Sequence, residues 1–141
     1  MNQPKSALIS VSKFFLYLVP FSIIIVSRST LFPFIVGKYV FFRIAVELAL
    51  IFFIWAWARG EIQKPIFNFQ FSIFKKPLVI AVSLFVLIFL LAGFFGYNPS
   101  ASFWSNFERG EGGLQMLHLF VFFILLVLLL KDEKAWRKMF V

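Results

Sequence analysis

Apolar runs separated by short polar intervals make up almost the whole chain. Four windows, about residues 14–33, 39–58, 78–96 and 114–130, approach the roughly twenty residues that a helix rising about 1.5 Å per residue needs to cross about 30 Å of hydrocarbon. The pattern predicts an all-α membrane protein of about four transmembrane helices, in one region covering residues 1–141. The first window is the least regular. Its compact apolar stretch is Phe14–Val26, Pro20 interrupts it, and the apolar patch Leu31–Val36 blurs its end. Lys5 and Lys13 precede it as they would precede a signal peptide, but no A-x-A-like cleavage site follows; the chain continues through Ser27-Arg28-Ser29-Thr30. An uncleaved anchor helix is the expectation.

The polar intervals carry the topology. Lys5 and Lys13, the loop residues Arg59, Lys64, Lys75 and Lys76, and the tail residues Lys131, Lys134, Arg137 and Lys138 all fall on one side of the proposed membrane. Only Arg28, Lys38 and Arg109 fall on the other. Positive charge is retained in the cytoplasm, so the expectation is N-in/C-in, with the interval Gly96–Gly113 outside. Within the long cytoplasmic loop, Phe67-Asn68-Phe69-Gln70-Phe71-Ser72 alternates strictly. Six isolated residues do not make a stable strand, and an extended piece dipping its Phe side into the headgroup region is the plainer account. The tail around Trp136 resembles a helix end emerging at an anionic surface, with the indole as interfacial anchor.

Composition agrees with this class. The chain is 62% hydrophobic and 21% aromatic, with mean hydropathy +0.94, whereas charged residues alone make up about a quarter of a soluble domain. The formal charge of +8 is spread in short clusters that flank apolar runs, with no basic face bearing readout residues, so nucleic acid is not an expected partner. With no cysteine and a single histidine, neither a disulfide framework nor a metal set is expected. Catalytic triad, P-loop and dinucleotide fingerprints are all absent from the sequence, and no cofactor is expected.

Candidate chemistry is confined to a few positions. Arg43 and Glu47 lie in the second window four residues apart, on one helical face. Each charge costs about 2.5–3.5 kcal/mol near a helix centre on insertion scales, which rules out both facing bare lipid. Two readings are open: a structural pair, with Arg43 snorkelling to the interface, or charges lining a polar cavity. Ala45, Ala49 and Ala56 cluster on the opposite face, where small residues let another helix approach closely. A helix buried on both faces implies a larger bundle. Gln115 and His118 share a face at the start of the fourth window; a lone histidine there is most simply a hydrogen-bonded packing residue. Gly110, Gly112 and Gly113 precede that helix and would allow unusual backbone angles and expose N–H groups, a geometry that suits an anion, with Arg109 adding charge and Glu108 and Glu111 offsetting it.

Two blocks carry a resemblance. Phe32-Pro33-Phe34-Ile35-Val36-Gly37-Lys38 followed by Phe41-Phe42-Arg43 and Glu47 resembles the first-loop and second-span signature of the O-antigen ligase/polymerase family, and Asn98-Pro99, Ser102-Phe103-Trp104, Glu108-Arg109, Glu111-Gly112 and Leu114–His118 resemble its next outer loop. The resemblance implies a polytopic glycosyltransferase of the bacterial inner membrane. Such an enzyme moves a glycan from an undecaprenyl diphosphate carrier to an acceptor at the periplasmic face, without metal or nucleotide sugar. By analogy Arg43 and Arg109 would help hold the carrier diphosphate or shape its cavity, since guanidinium forks match phosphate oxygens. Glu47, Glu111 and His118 complete the candidate substrate-binding set, and no residue is assigned a catalytic role. Members of that family have more spans and a large periplasmic loop with catalytic Arg and His, to which nothing here corresponds. The chain therefore reads as an N-terminal portion, inactive alone, whose partners are the carrier-linked glycan, membrane lipid and the remaining helices. The alternatives are a small four-span structural or partner-binding protein and a transporter fragment.

Overall fold

The computed structural model describes residues 6–26, 35–62, 75–105 and 111–140, excepting the Phe140 side chain. Among them, helix α1 (Ala7–Leu18) tightens into a 3-10 turn over Val19–Ile24, and is followed by α2 (Val36–Ala58), α3 (Pro77–Phe94), the short α4 (Pro99–Trp104), α5 (Gly113–Leu129) and α6 (Glu133–Phe140). No strand occurs among the described residues. The segments Ala7–Ile24, Val36–Ala58 and Pro77–Phe94 are long and apolar enough to cross a membrane, and α5 is a further apolar helix of 17 residues. The alternating stretch Phe67–Ser72 lies outside the described residues.

The first helix begins seven residues earlier than the apolar window suggests and is over by Ile24, while residues 27–33 of that window lie outside the described residues. The reason is that its serines are all satisfied. Ser6 caps the helix by accepting from the Ile9 N–H at 3.2 Å, and the Ser10 hydroxyl donates to the Ser6 carbonyl at 3.1 Å. Ser12, fully buried, donates to the Ala49 carbonyl of α2 at 2.7 Å. Such hydroxyls read as interruptions in a sequence but are tolerated inside an apolar helix once bonded to a carbonyl. Pro20, which has no N–H to give, sits in the first positions of the 3-10 turn, where none is needed.

Ala45, Ala49 and Ala56 are buried. With no side chain beyond Cβ on this stripe, α1 approaches closely enough for a serine to reach the α2 backbone. Ser6 bonds Glu61 and Ser12 bonds Ala49, so α1 and α2 run antiparallel. Leu16, Ala49, Val79, Leu125, Leu128 and Leu129 form one buried cluster, to which α1, α2, α3 and α5 all contribute. A second cluster, Val19, Phe42, Ala45 and Val46, is capped by Val121 and Phe122, with Phe42 edge-on to Phe122 at 5.7 Å. Both ends of the chain's helical bundle, the start of α1 and the end of α5, therefore lie on one side, which we term the terminal side; α4 and the starts of α2 and α5 define the loop side. Much of α3 faces outward, with Leu84, Phe85 and Ile88 more than half exposed, as expected of a helix surface solvated by lipid or by further helices.

Beyond α5 the backbone leaves the helix at Leu130, and α6 is held back against the bundle. The Trp136 indole N–H donates to the Leu130 carbonyl at 2.9 Å, and the Tyr17 hydroxyl to the Ala135 carbonyl at 3.3 Å. Lys134, Arg137 and Lys138 are exposed while Ala135, Trp136 and Met139 are half-buried, so the tail lies along the bundle as an amphipathic helix instead of prolonging α5.

If the α1–α2 contact depends on close approach, Ala49→Leu should destabilise the protein by about 1–3 kcal/mol through overpacking. Ser12→Ala, which removes one interhelical hydrogen bond, should cost only about 0.6–1.7 kcal/mol. Thermal unfolding of the two variants in one detergent checks the order; equal or reversed effects would contradict close approach as the main constraint.

Candidate functional site

The polar residues of α2 and α5 meet on the loop-side half of the bundle. Arg43 donates from Nε to Oε1 of Gln115 at 2.9 Å, and Glu47 Oε1 lies 2.8 Å from His118 Nε2. Residues 43 and 47 are one turn apart on α2, and 115 and 118 one turn apart on α5, so the two contacts are stacked. They also require α2 and α5 to run in the same direction. The Arg43 guanidinium lies over the Tyr39 ring, 4.8 Å from its centroid, an arrangement in which the ring's negative face meets the cation. Sequence periodicity pairs Arg43 with Glu47 and Gln115 with His118; the structure brings the two pairs together into one cluster.

Helix α2 begins at Val36, three residues before the expected boundary. Arg43 is thus seven residues inside, about 10 Å from the helix start at about 1.5 Å per residue, and Glu47 is at the helix midpoint. The Arg43 backbone is deeper in the helix than a boundary near Tyr39 would place it, while its guanidinium reaches back over Tyr39. Helix α5 starts lower: with Gln115 opposite Arg43, Gly113 is level with about Phe41, roughly five residues below the start of α2.

The protonation of the His118–Glu47 contact follows from its partners. Nδ1 faces the Leu114 carbonyl oxygen at 2.7 Å, and a carbonyl only accepts, so Nδ1 carries hydrogen. Nε2 faces a carboxylate oxygen, and the 2.8 Å contact needs one proton between them. The pair is thus either imidazolium with carboxylate or neutral imidazole with carboxylic acid. In both forms it holds a proton and has no net charge. His118 is largely covered at 13% side-chain exposure, while Glu47 is 58% exposed and opens toward the outside of the described bundle.

The other side of the α5 start is apolar. Helix α4, capped by the Asn98 side chain accepting from the Ala101 N–H at 3.0 Å, folds back over the junction of α3 and α5. A cleft of about 570 Å³ runs along it, lined by Leu87, Leu90, Phe94, Phe103, Trp104 and Gly113 among others. Gly112 and Gly113 are buried here. Gly112 has an ordinary backbone angle, φ −78°; what makes glycine necessary is space, because a Cβ would sit 2.4 Å from the Phe103 carbonyl oxygen and 2.8 Å from the Ser105 nitrogen. The unusual angle belongs to Ser105, at φ 62°. Unusual backbone angles are thus not what these two glycines supply; they supply close packing.

Of the sequence-derived candidates, Arg43, Glu47 and His118 are in the cluster, and Glu111 is exposed just ahead of α5. Arg109, with Glu108 and Gly110, lies outside the described residues. Gln115 and Tyr39 belong to the site although neither was singled out for binding; the i, i+3 spacing of Gln115 to His118 and the i, i+4 spacing of Tyr39 to Arg43 were the available signals. Among the described residues, no group of three or more His, Cys, Asp or Glu is arranged to hold a metal ion. No protein-family model matches the chain, and no curated protein or solved structure shows significant similarity to it.

Glu47 and His118 should be energetically coupled. In a double-mutant cycle of Glu47→Ala and His118→Ala, the interaction energy should be about 0.6–1.7 kcal/mol, whereas Glu61→Ala combined with His118→Ala should add within about 0.5 kcal/mol. Additive loss in the first cycle would show that the contact carries no stability.

Proposed function

We propose that this chain is the transmembrane part of a glycosyltransferase similar to the O-antigen ligase/polymerase family, and that the Arg43–Gln115/Glu47–His118 cluster receives the phosphate-bearing head of a lipid-linked glycan. The observation that carries the reading is the cluster itself. A guanidinium and a proton-holding pair are gathered two turns inside an apolar bundle, where isolated charge is costly and intramembrane ionisable groups mark ligand paths by default. The cluster lies along the first two turns of α5, and the apolar cleft beneath α4 lies on that helix's other side. A polar head and an isoprenoid chain have complementary needs of this kind.

The loop side is the periplasmic side in this proposal. The excess of Lys and Arg in the terminal segments and the Arg59–Pro77 loop favours a cytoplasmic position for those segments, and the resemblance adds a bacterial inner membrane. Glu47, half-exposed at the middle of α2, favours further helices around this face, since a carboxylate open to lipid there would be costly. Those helices, with a large periplasmic loop, would supply the catalytic groups. Arg43 would bind and orient the diphosphate, and Arg109 and Glu111 are the further candidate binding residues.

A second reading has a specific observation in its favour. Arg43 and Glu47 of α2 both reach partners on α5 within the same chain. That is what a small four-span protein would need if its polar groups served only to pin helices in register.

The two readings separate on binding. In the full-length protein, Arg43→Ala should weaken binding of undecaprenyl diphosphate-linked glycan at least about tenfold, the loss of one charge-assisted phosphate contact, while the helical fold persists. Arg43→Lys, which keeps charge but loses the fork, should lie between the two. Unchanged binding in Arg43→Ala, measured by equilibrium binding in detergent, would favour the structural reading.

A further inference from the structure

We propose that the Glu47–His118 pair couples occupancy of this site by a phosphate-type lipid headgroup to the uptake of one proton, an inference that rests on the anion-binding reading of the cluster. The pair already holds one proton, because Nδ1 of His118 must donate to the Leu114 carbonyl and Nε2 must share a proton with Glu47. Removing it would leave a carboxylate against a ring lone pair at 2.8 Å. Adding a second makes the pair protonated imidazolium and carboxylic acid, net positive, with the contact kept as Nε2–H donating to a neutral carboxyl oxygen.

An anion chooses between these states. Arg43 and Glu47 are four residues apart, about 6 Å along α2, so an anion seated on the guanidinium lies beside the carboxyl group. An ionised Glu47 would repel it; a neutral Glu47 next to an imidazolium would attract it. Around the pair, α2 contributes Arg43 and Tyr39, α5 contributes Gln115, Val121 and Phe122, and the 3-10 turn after α1 contributes Val19 to the packing below. Lys38 stands nearer the start of α2, and Glu111 ahead of α5. Glu47 is the exposed member and His118 the covered one, so the second proton enters through the carboxyl group. By linkage, an anion that favours proton uptake is bound more tightly as pH falls, and the proton is bound more tightly when the anion is present.

His118 is the only histidine in the chain, so ¹⁵N-histidine labelling reports on this ring alone. The test uses the full chain in phosphatidylcholine nanodiscs titrated with phosphatidylglycerol, a phosphodiester whose charge is constant from about pH 5 to about pH 8, the span in which imidazoles as a class change charge. Without titrant, Nδ1 should be protonated. With it, the ring-nitrogen shifts should saturate, and affinity should rise up to tenfold for each pH unit lowered, the limit for one linked proton. Glu47→Gln should reduce that pH dependence to less than about twofold, whatever its own affinity, and Arg43→Ala should weaken saturation at least about tenfold. Inorganic sulfate, added in place of the lipid, should give the same direction of shift if a free anion suffices and none if the headgroup must arrive on a lipid; either arm supports the coupling when its shift follows pH as above. Binding that needs Arg43 but is independent of pH would overturn the proton coupling and leave the anion reading standing. No saturable shift with either probe at any pH would overturn both, and a ring bearing hydrogen on Nε2 with Nδ1 bare would contradict the contact on which the coupling is built.

Discussion

Within an apolar bundle, a polar side chain must find a partner at its own depth, and the pairing of Arg43 with Gln115 and Glu47 with His118 meets that requirement for α2 and α5. Apolar packing alone leaves the register of two such helices weakly determined, because Leu, Phe and Val offer many equivalent ways to interdigitate. Two stacked hydrogen bonds, one turn apart, remove that degeneracy. A slip of one turn toward the end of α5 would set Glu47 against Phe122, leaving a carboxylate without its partner at a depth where a charge costs several kcal/mol. Interhelical hydrogen bonds in membranes contribute only about 0.6 kcal/mol on average, so their larger effect is to exclude the wrong registers.

The same register sets the rest of the arrangement. Fixing Gln115 opposite Arg43 lowers the start of α5 relative to α2, and at 17 residues α5 spans only about 25 Å at about 1.5 Å per residue, short of about 30 Å of hydrocarbon. Helix α4 occupies the space this leaves on the loop side, and Gly112 and Gly113 let its backbone lie directly on the α5 entrance. On the opposite face of α2 the alanine stripe admits α1, whose Ser12 bonds the Ala49 carbonyl. One helix thus carries both kinds of contact: directional and polar toward α5, close and steric toward α1.

Much of this was legible in the sequence because it depends on periodicity and residue size. The apolar windows located α2, α3 and α5 to within a few residues, and the small and polar stripes of α2 could be assigned to opposite faces from spacing alone. Helix α1 was misplaced because Ser10, Ser12 and Lys13 look like a boundary; only the acceptor on another helix shows that Ser12 belongs inside. The site was half legible. That Arg43 and Glu47 share a face, and Gln115 and His118 another, is local geometry; that the faces meet depends on the parallel packing of helices separated by more than fifty residues, which no local pattern encodes. For Gly112 the sequence showed the residue but suggested the wrong reason, since a glycine needed for its angle and one needed for its missing Cβ read alike.

The exposure of Glu47 adds a constraint that the internal contacts do not remove. His118 is covered, yet the carboxyl group that shares its proton is 58% exposed at the midpoint of α2. In water that would be unremarkable. At that depth in a bilayer, a single hydrogen bond to imidazole does not offset the loss of hydration of a charged group. That cost is removed when the face is covered by protein or by a polar ligand, and this requirement is the physical basis for reading this face of α2 as a place where something binds.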